Sequence, residues 1–272
     1  MEGSFNKIAA DAIKDFSHPQ LNPQIIETDD DLFAQRGIIG FYYPDEETDI
    51  DLICQSGFLG NFFDLSLMPL SPMLINLNPP AHETSYTFRN SESAFQALKF
   101  WDYASKFSPL SGNEAFQLKR SLTKKGLADW SYAGYGGNYQ GMMACLKIKF
   151  APETLMANAL LKTGDAWLQE RNIKVGRDNT WSDNGDGTGK NWLGIQLMLL
   201  RDELKYGSSA SSIEGTWTST ISSSMDISNG SQLTDNTIQA YVTRADAYFR
   251  QHIMSSKNLN PSRNKKARKN YK

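Results

Sequence analysis

Histidine and cysteine are scarce in this chain of 272 residues. The three histidines, His18, His82 and His252, lie far apart in the sequence, so neither a histidine metal site nor a Ser-His-Asp triad is expected. The two cysteines, Cys54 and Cys145, have no CxxC partner and the N-terminus lacks the pattern of a secretory signal. We therefore expect reduced thiols, a cytoplasmic location, and neither a metal ion nor a cofactor.

Long apolar runs are also missing. No stretch approaches the roughly 18 consecutive apolar residues that span a bilayer, so no membrane association is expected. Hydrophobic residues make up 40% of the chain and aromatic residues 11%, which is typical of a folded globular protein. The length is sufficient for one large domain with an ample core.

Acidic residues are absent from the C-terminal stretch 257–272, which holds seven of the 28 basic residues. The rest of the chain therefore has 21 basic residues against all 30 acidic ones, and this acidic balance argues against broad electrostatic capture of nucleic acid by the body of the protein. The tail 257–272 is either a contact for nucleic-acid phosphates or a solvated end, and both interpretations stay open.

The order of predicted elements favours an α+β fold: a helix-rich single domain with a small sheet, followed by a C-terminal helix and the basic tail. The predicted segments are an N-terminal extension (1–36), a catalytic domain (37–205), a serine-rich linker (206–232), an accessory helix (233–256) and the basic tail (257–272). Within the domain we predict a strand at 37–43 and a short strand at 86–88. We predict helices at 113–124, 139–149, from Pro152 to about 162, at 166–168 and at 191–205.

The stretch Ser91–Phe100 has the most informative pattern. On a helix capped by Asn90 or Ser91, the side chains of Glu92, Gln96 and Lys99 share one face, and apolar residues occupy the opposite face. A carboxylate, an amide and an amine would then be aligned on one rigid element, as a reactive site requires. The alternative is an ordinary solvated helix face.

Several motifs in fixed order resemble those of the NADAR or YbiA-like family, over a region from about Ile38 to Leu204. They include Gly60-Asn61-Phe62, Ser91-Glu92 with Gln96 and Lys99, Trp130, Lys149-Phe150, Thr163-Gly164-Asp165, Asp178 with Trp181, Gly185 to Gly194, and Arg201. Two positions depart from the pattern: Ser93 stands where the family usually has His, and Ser182 where Gly usually follows the Trp.

The resemblance implies cleavage of an N-glycosidic bond, that is, a hydrolase acting on the bond between ribose C1 and a base or amine. Some family members hydrolyse phosphorylated ribosylamino-pyrimidine intermediates of riboflavin synthesis, and others remove ADP-ribose from guanine. We expect removal of ADP-ribose from guanine here. The riboflavin-type phosphoribosyl substrates are the first alternative, and a non-catalytic module that binds ADP-ribose or a partner protein is the second.

Glu92 and Lys99 are the predicted catalytic residues. The carboxylate could stabilise positive charge at C1 or protonate the leaving group, and the amine could attack C1 or hold a phosphate. Gln96 would orient Glu92 or the substrate, and Arg201 would be structural, paired with a carboxylate. Further substrate contacts are predicted for Asn61, Trp130, Asp178, Trp181 and Asn191, where core packing of the tryptophans, loop capping by Asp178 and helix capping by Asn191 are the alternatives.

Overall fold

The computed structural model of the protein describes residues 21–68, 73–233 and 236–253, and these form a helix-rich α+β structure, which confirms the predicted class. The α-helices are α1 (Asp49–Cys54), α2 (Ser91–Ala97), α3 (Ala104–Phe107), α4 (Gly112–Lys124), α5 (Asn138–Lys149), α6 (Leu155–Leu161), α7 (Trp192–Tyr206), α8 (Trp217–Ser222) and α9 (Thr237–Tyr248). The strands are β1 (Ile38–Phe41), β2 (Ile75–Leu77), β3 (Tyr86–Phe88), β4 (Trp167–Glu170), β5 (Met225–Asp226) and β6 (Ser231–Gln232).

Strands β1 and β4 form a parallel pair at the centre of the core, with Ile38 opposite Trp167 and Phe41 opposite Glu170. All four residues of β1 are buried, as its run of β-branched and aromatic side chains predicts. Two antiparallel pairs, β2 with β3 and β5 with β6, complete the described strands. The carboxyl ends of β1 and β4 therefore lie side by side, which matters for the site below.

The short helix predicted at 166–168 is wrong, because these residues lead into strand β4. Gly164, in a left-handed conformation at φ 59°, ends the preceding turn, and Trp167 then pairs with the buried strand β1. The helix predicted from Pro152 begins later, at Leu155, where the Thr154 side chain accepts a hydrogen bond from the Ala157 amide. Tertiary pairing overrides a weak local preference in the first case, and a better N-cap fixes the start in the second.

The serine-rich segment 206–232 is not a linker within the structure. It contains a 3-10 segment (Gly207–Ser212), helix α8 and the hairpin of β5 and β6. Trp217 anchors it: its ring packs on Trp167 at 5.2 Å and on Tyr241 at 5.1 Å, and its indole nitrogen donates to the Asp165 carbonyl at 2.8 Å. One buried aromatic residue thus holds a segment whose composition alone is typical of a flexible connection.

The predicted accessory helix is present as α9, which continues as a π-helical turn from Phe249 to Ile253. Its inner face packs on the core, and Tyr241 also contacts Phe33 of the N-terminal extension at 5.6 Å. Gln239 and Thr243 of α9 both donate to the carbonyl of Gly187, at 2.7 and 3.0 Å. Helix α9 therefore holds the glycine-rich loop that precedes α7.

Residues 1–20 and the basic tail 257–272 lie outside the described residues. Among the residues that are described, no helix combines the length and the apolar character needed to cross a membrane. Cys54 and Cys145 are buried free thiols, as expected.

Replacement of Trp217 by alanine tests the role of the serine-rich segment. Trp217 is 1% exposed, and we expect Trp217→Ala to lower the free energy of unfolding by about 3–5 kcal/mol through the cavity it leaves. Trp130, 61% exposed, is the matched control, and Trp130→Ala should change stability by no more than about 0.5 kcal/mol. Urea denaturation followed by circular dichroism measures both. Equal stability of the two variants would mean that the segment does not belong to the core.

Candidate active site

Helix α2 starts with a side-chain cap that its sequence predicts. The Asn90 side chain accepts a hydrogen bond from the Ser93 amide at 2.8 Å, and the Ser93 hydroxyl donates to the Asn90 carbonyl at 3.1 Å. All seven residues of α2 are buried, so the interpretation of a solvated polar face is wrong. Ser93, where the family usually has His, is fully buried and serves this cap.

Glu92 lies in the first turn of α2 and is 7% exposed. Its backbone amide donates to the Asn61 carbonyl at 2.9 Å, and Gln96 Nε2 donates to Glu92 Oε1 at 2.8 Å. Burial raises the pKa of the Glu92 carboxyl, while the Gln96 hydrogen bond and the Lys99 charge oppose this effect. Gln96 thus orients Glu92, one of the two roles predicted for it.

Lys99 lies just beyond α2, since the helix ends at Ala97 and the chain continues into a tighter turn. The residue is 4% exposed, and its amine lies 5.0 Å from the ring centroid of Phe95 and 5.5 Å from that of Tyr132. These two rings are stacked on each other at 5.3 Å. The amine therefore lies against an aromatic wall and away from bulk water.

The electrostatic setting of Lys99 is unusual for a lysine. Burial lowers the pKa of the Lys99 amine from 10.5 to about 8, with Glu92 opposing the shift and Lys119 adding to it. Glu92 and Lys99 are thus close enough to influence each other's protonation, although they form no direct salt bridge in the described structure. The structure brings the two predicted catalytic residues together.

Asp178 and Trp181 approach the same region from the loop before α7. Asp178 Oδ1 accepts hydrogen bonds from the amides of Thr180 and Trp181, at 2.9 and 3.0 Å, so Asp178 caps its loop. Its charge also acts on Glu92, which places it at the site. The Trp181 ring meets the edge of Phe95 at 5.4 Å, next to α2, and Trp181 is only partly buried. Core packing and substrate contact therefore both remain available to Trp181.

Asn191 is the N-cap residue of α7, as predicted, but its side chain makes no capping hydrogen bond and supports strand β4 instead. Its Oδ1 accepts from the Glu170 amide at 2.9 Å and its Nδ2 donates to the Leu168 carbonyl at 2.9 Å. Both polar atoms of the buried side chain are therefore occupied. Gly194 permits this arrangement, because a Cβ there would come within 2.1 Å of the Leu168 carbonyl oxygen.

Glu170 belongs to the site and was missed in the sequence. It is the last residue of β4, and its Oε2 atom is buried with no hydrogen-bond partner in the described structure. Burial raises the pKa of Glu170 well above the usual value, and the neighbouring carboxylates, first Asp178 and then Asp183 and Glu92, raise it further. A correct strand prediction for 167–170 would have placed this carboxyl at the end of a buried strand, beside the site.

Trp130 is exposed, whereas Arg201 is a buried structural residue. Trp130 is 61% exposed, so it is not a core residue, and it follows Asp129, whose amide donates to the Lys99 carbonyl at 2.8 Å. Arg201 is fully buried and donates to Thr163 Oγ1 at 2.7 Å and to the Ala166 carbonyl at 3.0 Å. It is structural as predicted, but its hydrogen-bond partners are a hydroxyl and a carbonyl and not a carboxylate.

Lys149 is a second buried lysine, and it supports the site from behind. It is fully buried, and its amine donates to the Gly60 carbonyl at 2.8 Å, one residue before Asn61. Burial lowers the pKa of Lys149 to about 7. Since the Asn61 carbonyl holds the Glu92 amide, Lys149 fixes the turn on which the start of α2 rests.

Four of the eleven buried polar side-chain atoms that lack a hydrogen-bond partner in the described structure belong to the candidate site or adjoin it in sequence. They are Asn61 Oδ1, Ser91 Oγ and Gln96 Oε1, together with Glu170 Oε2. Such atoms are costly unless a ligand or water satisfies them, so they favour a polar ligand here. No group of three or more potential metal-binding side chains occurs among the described residues. The arrangement suits acid–base or nucleophilic chemistry by side chains.

A surface groove of about 310 Å³ lies elsewhere, between α5, α7 and the segment 207–227. Its walls include Met143, Leu199 and Ile227, and its charged residues Lys147 and Glu203 form a salt bridge with each other at 2.9 Å. It contains none of the clustered ionisable residues, so it is not the candidate active site.

Comparison with known proteins shows which family this chain resembles. A family model described as the NADAR domain matches residues 60–205, more than half of the 272-residue chain. The chain is 34% identical over 121 residues to N-glycosidase YbiA of Escherichia coli, covering 43% of this chain and 71% of that protein.

Two further similarities cover different shares of the chain. A riboflavin biosynthesis protein of Vibrio vulnificus is 35% identical over 136 residues, which is 48% of this chain and 35% of the relative. The chain thus spans about a third of the length of that relative. The NMR structure of Escherichia coli YbiA has 27% sequence identity and a TM-score of 0.43, covering 63% of this chain and 86% of that one.

The buried amine of Lys149 gives a prediction for the pH dependence of stability. An unfolded lysine keeps its proton up to about pH 10.5, whereas folded Lys149 loses it above about pH 7. Between these values the unfolded state binds more protons, so this lysine makes stability rise with pH, by a few kcal/mol. We expect the stability gained between pH 7 and 10 to be smaller in Lys149→Met than in wild type.

Urea denaturation at a series of pH values measures this difference. Lys147→Met is the control, since Lys147 lies on the same helix with its side chain 50% exposed, and its curve should parallel that of wild type. A Lys149→Met curve that is also parallel to wild type would show that Lys149 is charged throughout this range.

Proposed function

This chain belongs to the NADAR domain family, and we propose that it is an N-glycosidase, a hydrolase that cleaves the bond between ribose C1 and the nitrogen of a base or amine. The observation that carries this proposal is the pairing of Glu92 and Lys99. Both are buried, and each shifts the pKa of the other. The name of the Escherichia coli relative, N-glycosidase YbiA, supports the same reaction class.

Glu92 suits the charge that develops during such a reaction. As the C–N bond breaks, positive charge accumulates at C1 and the ring oxygen, and a carboxylate fixed beside C1 stabilises it. Gln96 and the Asn61 carbonyl hold Glu92 by a side-chain and a backbone hydrogen bond, respectively, which limits its reorientation. The carboxylate is therefore positioned before substrate binds.

Lys99 suits the role of nucleophile better than that of a phosphate ligand. Its amine is neutral for part of the protein population near pH 8, as nucleophilic attack requires. A phosphate placed beside it would also approach Glu92, and the two negative charges would repel each other in a buried site. In this role the amine attacks C1, the base departs, the ring opens to a Schiff base, and water then releases the sugar and restores the amine.

We favour ADP-ribose linked to guanine as the substrate. The exposed indole of Trp130 can stack on a base that extends from the site, a contact worth about 1–3 kcal/mol, and the partly buried Trp181 offers a second ring. The ADP-ribose moiety would place C1 of its terminal ribose between Glu92 and Lys99. The body of the protein carries an excess of acidic residues, so a nucleotide or a short single strand fits better than duplex nucleic acid.

A ribosylamino-pyrimidine phosphate is the second candidate substrate. The name of the Vibrio vulnificus relative, a riboflavin biosynthesis protein, favours it. The same bond type is broken in both cases, so Glu92 and Lys99 would keep their roles and only the groups that recognise the leaving base and the phosphate would differ. The test below therefore includes both substrates.

Substitution of the two central residues tests the proposal. We expect purified wild-type protein to release ADP-ribose from ADP-ribosylated guanosine, and Glu92→Gln and Lys99→Ala each to lower kcat by about 100-fold or more. Lys147→Ala, which removes an exposed lysine far from the site, is the control and should keep wild-type activity. Chromatography of the released sugar and base measures the rates on guanine-linked ADP-ribose and, separately, on ribosylamino-pyrimidine phosphate.

The outcomes separate the alternatives. Release from neither substrate by wild type would indicate a module that binds without catalysis, and undiminished release by both variants would show that other residues carry the reaction. Borohydride added during turnover should trap a covalent sugar adduct on Lys99 if the amine is the nucleophile. Activity that survives in Lys99→Arg without any trapped adduct would instead assign Lys99 to charge stabilisation.

A further inference from the structure

We propose that Glu170 is a third catalytic residue of this site and donates a proton to the nitrogen that departs from ribose C1. The assignment rests on the proposed N-glycosidase function. It gives the two glutamates different tasks: Glu170 acts as the general acid on the side of the leaving base, and Glu92 acts as the carboxylate on the side of the sugar.

The backbone of Glu170 is fixed on both sides. Its amide donates to Asn191 Oδ1 at 2.9 Å, and its carbonyl accepts from the Asp183 amide at 2.9 Å. Strand β4 also pairs with β1 at this point, where Glu170 lies opposite Phe41. The carboxyl group therefore projects from a rigid strand end, as a catalytic group should.

The Glu170 side chain has a buried oxygen that makes no hydrogen bond within the described structure. The residue as a whole is partly exposed, yet its Oε2 atom is buried and has no hydrogen-bond partner in the described structure. An unpartnered carboxyl oxygen is costly in a folded protein and calls for a ligand. A protonated Oε2 would donate its hydrogen to a substrate nitrogen at this place.

The charges around Glu170 distinguish it from Glu92. Four carboxylates from three segments act on Glu170: Asp178 and Asp183 from the loop before α7, Glu92 from α2 and Asp51 from α1. The Tyr42 hydroxyl, just after β1, also interacts with Glu170. Burial and these carboxylates all raise the pKa of Glu170. Glu92, in contrast, has the stabilising contacts of Gln96 and Lys99.

The different surroundings of Glu170 and Glu92 follow the general pattern of paired catalytic carboxyls. Two titratable groups whose surroundings push their pKa values apart are suited to act as an acid and a base at one pH. Burial and all four neighbouring carboxylates disfavour the charged form of Glu170, so its protonated form is favoured relative to an exposed glutamate. Glu92 carries more of the negative charge, because an amide donor and a cation favour it.

The proton balance of the reaction is complete with these groups and one water molecule. When the C1–N bond breaks, its electron pair stays on the nitrogen, which takes the proton of Glu170. C1 first forms a bond to the Lys99 nitrogen. Water then breaks this bond, and C1 receives the hydroxyl group of that water. The remaining proton of that water restores Glu170, so the products are the free base and the sugar hydroxyl, with the enzyme unchanged.

Glu170→Gln is the direct test, because glutamine keeps the shape of the side chain but cannot transfer a proton. With ADP-ribosylated guanosine as the substrate, we expect kcat to fall by about 100- to 10,000-fold and KM to change little. The decline of wild-type kcat at alkaline pH, which reports loss of the acid's proton, should be absent from the residual activity of the variant. Glu203→Gln, an exposed glutamate on α7, is the control and should match wild type.

A second variant, and a measurement made without substrate, distinguish loss of the proton donor from loss of the fold. Glu170→Asp keeps a carboxyl on the same fixed backbone, and it should retain more activity than Glu170→Gln together with the alkaline decline. Infrared difference spectra of unliganded wild type against Glu170→Gln, at neutral pH, should show the carbonyl band of a protonated carboxyl in wild type only.

Absence of that band in wild type, or a kcat for Glu170→Gln within about threefold of wild type, overturns the assignment. If wild type cleaves neither substrate, the proposed function fails and the proton-donor role fails with it. If wild type is active, the band is present and Glu170→Gln is impaired without the change in pH profile, Glu170 is only a structural group. The two failures are thereby distinguishable.

Discussion

Removal of ionisable groups from water is the constraint on which the site depends. Glu92, Lys99 and Lys149 are almost completely buried, and Glu170 has a buried carboxyl oxygen. Burial disfavours the charged form of each group and moves each pKa toward neutrality. Burial of this kind costs the protein stability, and pKa values shifted in this way are typical of functional sites.

The two carboxyl groups, Glu92 and Glu170, lie on two separate structural elements. One element is the start of α2, held by the Asn90 cap and by the Asn61 carbonyl. The other is the end of β4, held by β1 and by the Asn191 side chain. Most of these contacts involve backbone groups, so their geometry does not depend on the protonation of the Glu92 and Glu170 side chains.

The sequence was informative where local interactions determine structure. The cap at Asn90 and the polar series that follows identify α2 and its two central residues, because helix caps and helix faces depend on near neighbours in the chain. Glu170 escaped detection because β4 exists only through pairing with β1, which is distant in sequence. Trp217 likewise lies in a serine-rich stretch, and only its partners Trp167 and Tyr241 show that this stretch is core.

The hydrogen bonds from α9 to Gly187 have a consequence for how the chain can be divided. The family model ends at residue 205, yet Gln239 and Thr243 lie beyond it and fix the loop whose Asp183 amide holds Glu170 in place. A fragment cut at the family boundary would lose this brace and uncover the apolar surface of Trp167. In this chain the C-terminal addition is thus part of the structural unit that holds the candidate site, and sequence changes there can alter the site without touching its residues.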